Sequence, residues 1–152
     1  MRLSIRVVMV AALAAFGFNF SPLAAGQADA ASCVKVYKIY YDSPGSDTGS
    51  NTSLNGEWIQ LKNICATGKS LSGFKLVDLA SHWYTFGTYT LRAGATVKIH
   101  TGSGTNTSTD RYMNRGWYVW NNTSDTAYLY NSAGTKIRTC SYTTSSALPK
   151  IC

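Results

Sequence analysis

The chain is 152 residues long, with 14 Lys and Arg against 7 Asp and Glu, a net charge of +7. That length bounds it to one domain once a leader is removed, and a basic exported protein is drawn to anionic surfaces such as wall polymers, nucleic acid or acidic lipid. From Lys35 to Lys150 the cations come singly with no run of three, which argues against a concentrated nucleic-acid patch.

Residues 1–30 read as a secretory signal peptide. Arg2 and Arg6 give a basic start, Val7 to Phe18 is an apolar run too short to span a bilayer, and Ala28-Asp29-Ala30 is a small-x-small cleavage site. No later stretch is apolar enough to cross a membrane, so residues 31–152 are expected to form a single extracellular domain. Val34 to Tyr41 reads as its first strand, with Tyr37, Ile39 and Tyr41 inward. Asp42 to Asn55 is a polar loop. Gly56 to Ile64 alternates, with Ile59 and Leu61 on one side and Trp58 on the other. Short strands are expected at Phe74 to Asp78 and His82 to Phe86, and another at Ala95 to Thr101 with Val97 and Ile99 inward. Gly102 to Asp110 is a second polar loop, and Arg111 to Trp120 carries aromatic residues onward.

The last element is a β-hairpin. Asp125 to Asn131 puts Ala127 and Leu129 on one face and Tyr128 and Tyr130 on the other. Asn131-Ser132-Ala133-Gly134 supplies turn chemistry, and Thr135 to Tyr142 returns. The tail from Thr143 to Cys152 reads as too irregular for a strand. No segment shows helical apolar spacing over enough length for a helix. Seven or more short strands at intervals of roughly ten residues predict an all-β fold, an immunoglobulin-like β-sandwich.

All four cysteines fall after the leader, and an even number in an oxidising compartment predicts two disulfides. There is no CxxC spacing for zinc, and His82 and His100 are isolated. Core-facing Ile137 sets Cys140 outward beside Arg138, where the tail brings Cys152 back to it. Cys33 then meets Cys65 across neighbouring antiparallel strands. A bulge before Cys140 would instead turn it inward, towards Cys65.

In order along the chain stand GEWIQLKN at 56–63, LSGFKLVD at 71–78, YTF at 84–86, LRAGATVKIHTGSGT at 91–105 and WNNTSDTAYLYNSAG at 120–134. This ordered set resembles the lamin tail domain in the form found in secreted bacterial proteins, over residues 34–142. The resemblance implies an immunoglobulin-like sandwich with a non-enzymatic role, and it supplies no catalytic residues to carry over. The coiled-coil rod of lamins is missing here, so no partner is carried over either.

The residues support the same direction. No GxSxG elbow surrounds any serine, and His82 and His100 read as two surface histidines. No cofactor and no catalytic or metal-ligand set is expected. Asp42, Asp47, Asn51, Asn55 and Glu57 are hard oxygen donors of the kind calcium takes, but their spacing is not that of an EF-hand. The expected role is a secreted binding or structural module. Its candidate ligand face is Tyr128 and Tyr130 with Lys136 and Arg138 beside them. Trp58, Trp83, Tyr128 and Tyr130 all take outward parity, and exposed rings on a flat sheet suit a carbohydrate such as cell-wall polysaccharide. Cations beside rings suit a nucleic acid or other anionic polymer, and a protein partner is the third class. Trp117 and Trp120 are expected to close one end of the core.

Overall fold

A computed structural model describes residues 33–152, and the signal-peptide reading lies outside them. The strands are β1 (Val34–Tyr40), β2 (Trp58–Asn63), β3 (Lys69–Ser70), β4 (Lys75–Val77), β5 (Trp83–Thr85), β6 (Thr90–Leu91), β7 (Thr96–His100), β8 (Asp110–Tyr112), β9 (Ser124–Tyr130), β10 (Lys136–Thr143) and β11 (Lys150–Ile151). Pairing sorts them into a five-stranded sheet, β11-β1-β2-β7-β8, a four-stranded sheet, β10-β9-β4-β5, and a β3–β6 ribbon. Inward positions of both sheets meet in one core: Val36, Ile59 and Ile99 from the first, Leu76, Ala127 and Leu129 from the second. This is an immunoglobulin-like β-sandwich.

The period-2 reading holds wherever a strand is regular, and a bulge breaks it twice. In β1 the register shifts between Val36 and Lys38. Val34, Val36, Ile39 and Tyr41 are buried, while Tyr37 is only half-buried and takes the outer face, not the inward position expected of it. In β10 the register shifts between Lys136 and Arg138. Beyond it Arg138 stands opposite Leu129 and Cys140 opposite Ala127, both core-facing partners. Cys140 is therefore buried in the core, not outward.

Disulfides join Cys33 to Cys65 and Cys140 to Cys152, with Cα separations of 5.3 and 5.9 Å. The first closes the open end of the β1–β2 hairpin, one step beyond the Val34–Asn63 pair. The second reaches from β10, an edge of one sheet, to the end of β11, an edge of the other. It staples the sandwich along one side, and Cys140 reaches Cys152 from the core face. The tail is more regular than its composition suggests. β11 pairs with β1, Cys152 N donates to Tyr37 O, and Tyr41 Oη donates to Ser146 O at 2.8 Å.

The Asp42–Asn55 segment is not all loop. Ser50 caps a six-residue helix, α1 (Asn51–Gly56), by accepting from Ser53 N, and Leu54 is buried beneath it. One apolar residue in a single turn leaves no helical period to read. β8 also escapes sequence reading, because it pairs parallel to β7 after a short connection.

Candidate binding faces and the end cleft

Register shows what the outer face of the four-stranded sheet presents. Val77 pairs with Trp83 on one side and Tyr128 on the other, and Lys75 pairs with Tyr130, which pairs with Lys136. Directly opposed residues share a face, so Trp83, Tyr128, Tyr130, Lys75 and Lys136 all stand outward. The Trp83 and Tyr130 ring centroids lie 5.6 Å apart, tilted by 44°. The Lys136 ammonium sits 4.9 Å from the Tyr128 ring and Lys75 5.8 Å from Trp83. Tyr128, Tyr130 and Lys136 thus come together. Arg138 does not join them, because the β10 bulge sends it to the opposite side, where its guanidinium bonds Ile137 O at 2.7 Å. Trp83 and Lys75 take part instead, from strands that sequence alone does not place beside the hairpin.

At the end where β4 turns into β5, a cleft of about 520 Å³ is bordered by Asp47, His82, Trp117, Tyr118 and Asn122. Trp117 is 65% exposed, so it rims the cleft and does not close the core, whereas Trp120 is buried. Trp117 lies across Gly49, where a Cβ would stand 2.7 Å from the ring and φ is +69°.

His82 lies at the surface, its side chain 41% exposed, whereas His100 is largely covered. His82 Nδ1 lies 2.6 Å from Asp78 Oδ2, and Asp78 Oδ1 accepts the His82 backbone N–H, so the pair closes its own turn. His100 bonds Asn55 O through Nδ1 and Asp110 Oδ1 through Nε2, both at 2.9 Å. The Thr109 hydroxyl, with His100 beside it, holds the Asp110 carboxyl below its ordinary range. Both His100 nitrogens are occupied. Among the described residues no hydrogen bond joins either ring to a serine or threonine hydroxyl.

The group that sequence reading misplaced is Glu57. It is fully buried, and its Oε1 accepts Thr101 Oγ1 at 2.7 Å, Val119 N at 2.9 Å and Trp120 N at 2.7 Å. Burial pushes its carboxyl up to about 7 against those bonds. A sealed carboxyl group has no access to a substrate, so its work is to fasten residues 119–120 beside the start of β2. Nor does it stand with Asp42 and Asp47 as a calcium ligand. Asn51 and Asn55 both donate to Ser103 O, and Asp47 accepts from Asn122. Among the described residues, no three His, Cys, Asp or Glu side chains are grouped as a metal site.

A two-sheet sandwich stapled by two disulfides defines an immunoglobulin-like domain. The family model described as Lamin Tail Domain matches residues 27–144, and the chain belongs to that family of non-enzymatic domains. No curated protein matches the chain in sequence. No helix among the described residues is long and apolar enough to cross a membrane.

Proposed function

We propose that the chain is a non-catalytic binding module, exported by its first thirty residues, that holds an extended carbohydrate across Trp83, Tyr130 and Tyr128. The observation that carries this reading is Trp83. It is 46% exposed on a sheet face, set against Tyr130 and sharing the Val77 floor with Tyr128. Flat rings on a rigid sheet stack on sugar faces with little ordering cost, and cell-wall polysaccharide is the ligand class that an exported module meets. Two disulfides suit that compartment. An anionic polymer on this face would have only Lys75 and Lys136 to hold it, so the balance of rings over charge favours a neutral sugar here.

Retention on insoluble polysaccharides tests the reading. Wild type is expected to be retained, and Trp83→Ala/Tyr130→Ala to pass through while melting within a few degrees of wild type, since both rings sit on the outer face. Equal retention of the two proteins, or none on any polymer, contradicts it. Hydrolysis of a retained polymer that is lost in His82→Ala or His100→Ala would contradict the non-catalytic role.

A further inference from the structure

The outer face of the five-stranded sheet carries a different chemistry, independent of the sugar reading. Lys35 stands directly opposite Lys62 on the neighbouring antiparallel strand. Like charges in that position are destabilising, so folding alone does not select the pair. The β1 bulge then adds to it by turning Tyr37 outward next to Lys38. As a result three ammonium groups converge on one ring: Lys35, Lys62 and Lys38 Nζ lie 5.2, 5.1 and 5.1 Å from the Tyr37 centroid. They lie within about one Debye length of each other, ~10 Å at 0.1 M salt, so each feels the others' charge. Among the described residues no acidic side chain forms an ion pair with any of them. The one acid paired into the outer rows of this sheet, Asp110, is held by His100.

Three uncompensated cations held together by a bulge and a disulfide-closed hairpin make a site for a multiply charged anion. The side chains also narrow the class. All three are lysines, compact charges that suit a phosphate group at any rotation, and no arginine fork stands outward on this sheet, since Arg111 pairs with core-facing Ile99. The outward rings are already engaged, Tyr37 by its three lysines, Trp58 by Lys98 at 4.4 Å and by Tyr40 at 5.4 Å, and Tyr112 by His100 at 5.1 Å, which leaves less ring surface for a base to stack on. We propose that this face binds a flexible phosphate polymer without aromatic bases, with phosphates seated on Lys35, Lys38 and Lys62 above Tyr37.

Inorganic polyphosphate is the probe, titrated into the oxidised chain at two salt concentrations. Wild type is expected to bind, with affinity falling steeply as salt rises. Lys35→Gln/Lys38→Gln/Lys62→Gln is expected to lose at least about tenfold in affinity and roughly two units of the log–log salt slope, as counterion release predicts for three lost contacts. Lys75→Gln/Lys136→Gln, on the opposite face, is expected to bind as wild type does and so separates this site from the sugar platform. Three results would overturn the proposal: no binding by wild type at low salt, undiminished binding by the triple variant, or tighter binding of an oligothymidylate with the same number of phosphates.

Discussion

Glu57→Ala is expected to cost on the order of 3–5 kcal/mol, because it strands three buried donors at once. Val119 N–H, Trp120 N–H and the Thr101 hydroxyl all point at Glu57 Oε1, and all four residues are buried. Glu57→Gln keeps that acceptor and is expected to cost less. The two variants also separate packing from charge. The folded carboxyl titrates at about 7 against an ordinary 4.5, so between those values the folded state holds a proton that the unfolded state has released. The stabilisation from this group is therefore fully present below pH 4.5 and is lost as pH rises through 7, a difference of about 3 kcal/mol over the window. Denaturant unfolding from pH 4.5 to 7.5 is expected to show wild type losing stability relative to Glu57→Gln. Parallel curves for the two proteins would mean that Glu57 does not titrate there. Asp110 works in the opposite direction and below this window: its carboxyl is held down by the Thr109 hydroxyl and His100, so its contribution is lost as pH falls below the ordinary carboxylate range.

The disulfides are the second large term. Cys33→Ala/Cys65→Ala opens a loop of sequence separation 32 and is expected to cost about 4 kcal/mol, and Cys140→Ala/Cys152→Ala opens one of 12 and costs about 3 kcal/mol, from the freed unfolded chain. The first also releases the hairpin end that carries Lys35 and Lys62, so polyphosphate binding should weaken along with stability. The second releases β11, which pairs with Lys38 and bonds Tyr37 O, so it loosens that end of the site and leaves the Lys35–Lys62 pair in place. Urea midpoints for the two variants check the order, and a smaller loss at Cys33–Cys65 would mean that the longer loop is not the stronger constraint.

Alternation made the sandwich readable, since Ile59, Leu61, Val97, Ile99, Ala127 and Leu129 all face the core by simple period 2. What escaped reading lies where that period fails or where contacts are long-range. The β1 bulge moved Tyr37 out, and the β10 bulge moved Arg138 away from Tyr128 and turned Cys140 inward. Neither bulge has a glycine to announce it. Cations that look scattered along the chain gather because Lys35, Lys38 and Lys62 meet across a strand pair. Glu57 reads as a polar residue before a strand, and only the return of residues 119–120, more than sixty positions later, supplies the donors that explain its burial. Trp83 belongs to the candidate site through β4, which lies between it and the hairpin and has no sequence signal for that pairing.

The four tryptophans allow one direct test, because each marks a different place: Trp58 the outer face of the five-stranded sheet, Trp83 that of the four-stranded sheet, Trp117 the cleft rim and Trp120 the core. Their indole N–H resonances can be followed together while a soluble oligosaccharide of the retained polymer is titrated into the labelled chain. The expected result is a saturable shift of Trp83, with Trp58 and Trp120 unmoved. A ligand that shifts Trp58 or Trp117 and leaves Trp83 still would place carbohydrate binding elsewhere on the domain and contradict the account.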